Sequence, residues 1–98
     1  MEHNTLHSYL IDLVDLAEWG WLSDLAKRGK VILLSPNLDL VEVGLALAED
    51  DISQVQQWLA DRWIYQPTLE QIDAWDNQAS SPKFNSLIVQ PFVLAKQC

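Results

Sequence analysis

The sequence contains a single cysteine, Cys98, which is its last residue. No intrachain disulfide can form, so the chain fits a reducing compartment without requiring one. No nucleophile signature accompanies this cysteine, and a catalytic thiol is therefore not predicted.

Glycine is scarce as well. The chain has three glycines, at positions 20, 29 and 44, and they lie too far apart to form the Gly-rich loop that cradles a phosphate. No cofactor is predicted.

Basic residues are few, with 6 Lys and Arg against 14 Asp and Glu, which gives a net charge of -8. A surface of this sign repels phosphates, so nucleic acid and anionic membranes are unfavourable partners. The charge favours solubility or a basic partner.

Long apolar runs are missing too. No stretch approaches the ~18 apolar residues of a membrane span. The first residues (Met1, Glu2, His3 and Asn4) lack the basic segment of a signal peptide. These features predict a cytoplasmic protein.

What the chain does have is apolar content, 49% of 98 residues, which suits one globular domain over residues 1–98. Helical spacing predicts a helix over residues 6–17, ended by Gly20, and a second over residues 21–28, ended by Gly29. Four consecutive apolar residues, Val31–Leu34, predict a buried strand.

The second half reads as helices followed by a strand. In residues 38–50 the carboxylates fall on one side of a helical wheel and the aliphatic residues on the other, which favours a helix. Asp51 then caps a helix, residues 63–65 form a short strand, and Thr68 with Gln71 has capping-box spacing. Residues 87–94 predict a strand that Pro91 bends or confines to an edge. The predicted fold is α+β, with about five helices packed on a small, mostly antiparallel sheet.

Acidic side chains form the best candidate for a metal site. Asp39, Glu42 and Glu49 lie one and two turns apart on one helix face, where carboxylates can bind a divalent cation. A solvated helix face is the simpler interpretation. His3 and His7 have the spacing of helical zinc ligands, but no third histidine completes a site.

Five tryptophans are many for this length. Trp21, Trp58 and Trp75 occupy positions on apolar stripes and are predicted to build the core. Trp19 and Trp63 are less clearly placed, and they are the candidates for an interaction surface.

The helix pair over residues 38–62, followed by a short strand, has the layout of a helix-turn-helix with a winged-helix-like arrangement. The second helix would expose glutamines that can read base edges. No Lys or Arg occurs between Lys30 and Arg62, however, while six carboxylates do. Since phosphate contacts normally dominate affinity, tight DNA binding is not expected.

Several of these segments together resemble a small bacterial family catalogued as domain of unknown function 2288. The matching residues are Trp21, Leu25, Ala26 and Gly29, the string from Leu38 to Val43, Asp50, Asp51, Val55, Trp58, Leu59, Trp75, and the string from Val89 to Leu94. The chain departs from the family pattern at Gly44, Arg62 and Phe92, where alanine, glycine and tryptophan are expected. The resemblance implies a bacterial setting and brings no activity or site residue.

The sequence thus fixes no chemistry. The leading hypothesis is a non-enzymatic, cytoplasmic protein-interaction module that self-associates as a homo-oligomer or binds a protein partner. The alternative is a helix-turn-helix nucleic-acid-binding regulator using residues 38–62. A weaker alternative is a metal-dependent enzyme built on Asp39, Glu42 and Glu49.

Overall fold

A computed structural model describes residues 2–79 and 81–98 of the chain, with side chains from Leu6 onward. These residues form five helices and five strands. The helices are α1 (Glu2–Leu13), α2 (Trp19–Lys27), α3 (Leu40–Ala48), α4 (Ile52–Ala60) and α5 (Leu69–Asp76). The strands are β1 (Asp15–Glu18), β2 (Val31–Leu34), β3 (Ile64–Tyr65), β4 (Lys83–Val89) and β5 (Phe92–Gln97). None of the helices that these described residues form is long and apolar enough to cross a membrane.

The strands form one mixed sheet in the order β1-β4-β5-β2-β3. Three neighbouring pairs are antiparallel, and only β2 and β5 run parallel. The predicted α+β class with a mostly antiparallel sheet is therefore confirmed. Strands β1 and β3 are the two edges of the sheet.

Alternation along the strands sends apolar side chains to both faces of the sheet, so each face carries its own core. Helices α2 and α5 cover the first face. Its buried residues are Ala17, Trp19, Leu22, Ala26, Val31, Leu33, Ile72, Phe84, Val93 and Ala95. Helices α1 and α3 cover the second face, with α4 packed beside α3. Its buried residues are Leu10, Leu34, Leu38, Leu40, Val41, Val43, Ile64, Leu87 and Leu94.

Side-chain caps start three of the helices. Asp39 accepts hydrogen bonds from the backbone N–H groups of Val41 (2.8 Å) and Glu42 (3.4 Å) before α3. Asp51 accepts from the N–H of Gln54 before α4 (3.3 Å). Thr68 and Gln71 form the predicted capping box at α5. These residues satisfy N–H groups that have no partner inside the helix.

Three helices end in the same way, with a residue of positive φ just past the cap. Gly29 (φ 73°) ends α2 as predicted, whereas Asp50 (φ 55°) ends α3 and Arg62 (φ 60°) ends α4. In each case the next residue donates its N–H back to the third-last helical carbonyl, as when Trp63 donates to Trp58 (2.9 Å). Arg62 therefore holds a conformation that glycine adopts most readily.

Two predicted elements are wrong, and so is the predicted role of Gly20. Helix α1 ends at Leu13, and residues 15–17, predicted as helical, belong to strand β1 (Asp15–Glu18), which pairs with β4. Gly20 does not break a helix but lies inside α2. The single strand predicted over residues 87–94 is a hairpin, because the chain turns at Gln90 and Pro91 between β4 and β5.

The winged-helix-like arrangement is not confirmed. Helices α3 and α4 do follow one another across a tight turn, but a wing requires a β-hairpin after the second helix. Here the strand that follows, β3, has two residues and pairs with β2 at the edge of the main sheet.

Asp76 ties the end of α5 to α2. Its Oδ1 accepts hydrogen bonds from the Ser23 hydroxyl and the Trp19 indole N–H, both at 2.7 Å. Lys27 Nζ lies 3.2 Å from Oδ2. Because the Ser23 hydroxyl, the Trp19 indole and Lys27 all favour the charged carboxylate, the pKa of Asp76 is lowered from its ordinary value.

Because the pKa of Asp76 is lower in the folded chain than in the unfolded chain, its carboxylate stabilises the fold at pH values above the ordinary pKa, near 3.9. This stabilisation is lost as the pH falls through the ordinary pKa toward the lowered one. We expect Asp76→Asn to be less stable than wild type in urea at pH 7, with the difference shrinking below about pH 4. Asp24→Asn is the control, since it removes an exposed carboxylate from α2 without breaking this cluster. A stability difference that stays constant from pH 7 to pH 2 would contradict the assignment.

Candidate interaction surface

An open cleft of about 600 Å³ lies where the end of α1, strand β1 and the start of α2 meet. Leu13 is the last residue of α1, and one residue later the chain enters β1. Glu18, the last residue of β1, is also the N-cap of α2, so strand and helix join without a loop. The cleft is lined by Leu13, Asp15, Leu16, Ala17, Glu18, Gly20, Trp21, Ser86 and Ile88.

Four large apolar side chains of this lining face solvent. Their exposed fractions are 43% for Leu13, 57% for Leu16, 52% for Trp21 and 50% for Ile88. Single exposed apolar residues are ordinary, but exposed apolar side chains gathered in one concave place mark an interaction site in soluble proteins.

Ile88 is exposed because the helices covering its face do not extend far enough. Phe84, Ser86 and Ile88 alternate onto the same face of β4. Phe84 is fully buried beneath α2 and α5, while Ile88, four residues further along the strand, lies in the cleft. Between them the Ser86 hydroxyl donates to the backbone carbonyl of Asp15 (3.1 Å), which joins β1 to the floor of the cleft.

The charged residues of the cleft lining are Asp15 and Glu18, and both are acidic and exposed. Asp15 Oδ1 also accepts a hydrogen bond from the backbone N–H of Leu16 (2.8 Å). The cleft therefore combines an apolar surface with negative charge at a free sheet edge.

Trp19 does not belong to an interaction surface. It is 1% exposed, and its ring packs against Trp75 (4.7 Å between centroids) and Phe84 (5.8 Å). Trp21, predicted to be a core residue, is instead half-exposed, and Trp19 occupies the core position. The reason is the start of α2: with Trp19 as its first residue, Trp21 is turned about 200° around the helix away from the core.

Trp63 is exposed at 44%, as its assignment to a surface requires. It follows α4, a helix without a single charged residue and without a fully buried one. Ile52 and Leu59 on this helix are 65% and 51% exposed, and Trp58 is only partly buried against the second core. Trp58 is thus less enclosed than its stripe position predicts.

The carboxylates of the predicted metal site, Asp39, Glu42 and Glu49, are distributed along α3. Asp39 is engaged as the N-cap of α3, Glu42 is exposed in the first turn, and Glu49 is the C-cap of the same helix. Across residues 2–79 and 81–98, no group of three or more His, Cys, Asp or Glu side chains is placed to hold a metal ion. The side chain of His3 lies outside the described residues, and His7 is partly buried on α1. Cys98 is free and exposed.

The residues that line the cleft are not recognisable from the sequence. The sequence predicts Leu16 in a helix, Trp21 in the core, and Ile88 in a strand that Pro91 bends or confines to an edge. No local pattern separates them from core residues, because each stands among other apolar residues at regular spacing. The local feature that sets this segment apart is a pair of carboxylates, Asp15 and Glu18, on either side of two apolar residues.

A family model described as "Protein of unknown function (DUF2288)" matches residues 5–97. Among solved structures, the chain is similar to one titled "NMR solution structure of PA1075 from Pseudomonas Aeruginosa". The two share 27% sequence identity with a TM-score of 0.78, over 95% of this chain and 84% of the other. No curated protein matches the chain.

Proposed function

The chain belongs to DUF2288, a family of proteins of unknown function, and we propose that it acts as a protein-interaction module that binds a partner at the β1 cleft without catalysing a reaction. The observation that carries the proposal is the shared location of Leu13, Leu16, Trp21 and Ile88, all exposed around one cleft. Soluble proteins rarely expose several large apolar side chains next to one another, so this grouping favours a partner that covers them.

Trp21 is the expected anchor of this contact. Tryptophan is enriched among the residues that dominate binding energy, and it acts best at the centre of a patch that excludes water. Trp21 lies on a helix whose opposite side is fixed in the core by Leu22 and Ala26. The anchor is thus held by a rigid element, which lowers the entropy lost on binding.

The test is affinity capture from a lysate of the source organism with three tagged proteins. Wild type is compared with the cleft variant Trp21→Ala/Ile88→Ser and with Leu69→Ser. Leu69 is 82% exposed on α5 and does not line the cleft, so its replacement removes a similar apolar side chain elsewhere. We expect wild type and Leu69→Ser to capture the same proteins, and the cleft variant to lose them by about tenfold or more, the equivalent of 1.4 kcal/mol.

Circular dichroism on all three proteins verifies that the variants are folded. A partner that the folded cleft variant retains at the wild-type level would contradict the assignment of the cleft. So would a partner that is lost equally with Leu69→Ser.

A further inference from the structure

Strand β1 has a backbone edge with free hydrogen-bonding groups. Trp19 donates its N–H to Pro82 of the segment leading into β4 (2.9 Å), and β1 pairs with β4 in antiparallel register. In such a ladder alternate residues point their polar groups toward the partner strand, so Ala17 and Asp15 face β4 like Trp19. Leu16 and Glu18 then point their backbone groups away from the sheet.

Two of these outward groups have no hydrogen-bond partner among residues 2–79 and 81–98. The Leu16 N–H is taken by Asp15 Oδ1, and the Glu18 carbonyl belongs to the first turn of α2 as its N-cap. The Leu16 carbonyl and the Glu18 N–H remain, one acceptor and one donor on either side of Ala17. An extended backbone offers a donor and an acceptor at this same spacing.

The side chains at this edge indicate the character of a strand that would lie there. On the first face of the sheet, Asp15 stands with Trp21 and Ile88, and on the second face, Glu18 stands with Leu16. Each face thus presents one carboxylate beside exposed apolar surface. A complementary strand would carry one basic and one apolar side chain on each of its faces.

We propose that the occupant of the cleft is an extended, basic and apolar segment of a partner protein, which joins the sheet as a strand beside β1. This inference rests on the proposed function and specifies its partner. Two main-chain hydrogen bonds would fix the segment, and its alternating side chains would provide specificity, as in other cases of strand addition. The net charge of -8 would attract a basic segment from a distance.

A second copy of this chain is a poorer occupant. Two β1 strands paired antiparallel through these outward groups would be centred on Ala17 and would place Leu16 of one copy opposite Glu18 of the other. A second β1 strand has no basic side chain to offer Asp15 or Glu18, and two chains with a net charge of -8 repel one another.

The test is an NMR titration of the isotope-labelled protein with two synthetic hexapeptides, VKKVFT and its acidic counterpart VEEVFT. In VKKVFT the alternation of a strand places a lysine and an apolar residue on each face. We expect the amide resonances of Leu16 and Glu18 and the indole resonance of Trp21 to shift with VKKVFT, which should bind at least about tenfold more tightly than VEEVFT at low salt. At about 0.15 M salt the ratio should fall, because exposed charges are then screened.

The variant Asp15→Asn/Glu18→Gln is the matched control, since it keeps the shape of the edge and removes its charge. We expect it to bind the two peptides equally. The strand proposal would be overturned if VKKVFT shifted neither the Leu16 nor the Glu18 amide resonance, or if wild type bound both peptides equally. It would also be overturned if wild type sedimented as a dimer that Trp21→Ala/Ile88→Ser disrupts. A dimer of this kind would still agree with the proposed function, a protein-interaction module. The proposed function itself is tested separately by the affinity capture from lysate.

Discussion

Replacing Trp19 by alanine should lower the free energy of unfolding by about 3–5 kcal/mol, the usual cost of removing a large aromatic side chain from a core. Trp19 is among the largest fully buried side chains of the described residues. It contacts Trp75 and Phe84 and donates its indole N–H to Asp76, so one truncation opens a cavity and removes a hydrogen bond across two helices. Domains of this size are stable by roughly 5–15 kcal/mol, and the variant is expected to be marginal or unfolded.

Two variants of the same helix separate the causes. Trp19→Phe keeps an aromatic ring and loses the indole donor, so it should be less destabilising than Trp19→Ala. Trp21→Ala, two residues along α2, removes an equally large side chain from a position that is 52% exposed, and should cost well under half as much. Urea unfolding followed by circular dichroism measures all three, and equal midpoints for Trp19→Ala and Trp21→Ala would show that Trp19 is not the core residue.

The elements that the sequence predicts correctly are those determined by neighbouring residues. Asp51 and the Thr68–Gln71 capping box lie within one turn of the N–H groups they satisfy. The strand Val31–Leu34 is a short apolar run between polar residues. The separation of carboxylates from aliphatic residues in residues 38–50 is a local pattern too, and α3 lies within that range.

The elements that were missed depend on distant partners. Leu16 and Ala17 continue the helical spacing of α1, and only pairing with β4, near the other end of the chain, makes them a strand. The positive φ of Asp50 and Arg62 is equally hidden, because neither residue is the glycine that usually marks this conformation.

The cleft could not be predicted for a related reason. Its lining comes from α1, β1, α2 and β4, and apolar residues in all four look alike in a sequence whether a neighbouring helix covers them or stops short. What the composition does give is the sign of the net charge, -8. An excess of carboxylates favours a basic partner, and Asp15 and Glu18 place two of them at the free edge of the sheet.

Gly44 fits a close contact between α3 and the sheet. A Cβ atom at this position would lie 2.5 Å from Leu87 Cδ2 and 3.6 Å from Val89 Cγ2. Leu87 is fully buried, so its side chain has little room to turn away. Glycine inside a helix costs about 1 kcal/mol relative to alanine, but an added methyl group in a packed core costs about 1–3 kcal/mol. Gly44→Ala is therefore expected to be neutral or destabilising, despite its better helix propensity.

Leu87→Ala alone should cost about 2–5 kcal/mol, because it leaves a cavity in the second core. In the Leu87→Ala background, the added methyl group of Gly44→Ala occupies the space left by the leucine side chain. The free energy of unfolding of the double variant should therefore exceed the value expected from adding the two single changes by about 1–3 kcal/mol. The control cycle pairs Gly44→Ala with Leu33→Ala, a residue of the first core on the opposite face of the sheet. That cycle should be additive within about 0.5 kcal/mol. Additive behaviour in the Leu87 cycle as well would mean that α3 can shift away from the sheet, and that the close approach at Gly44 does not hold the helix in place.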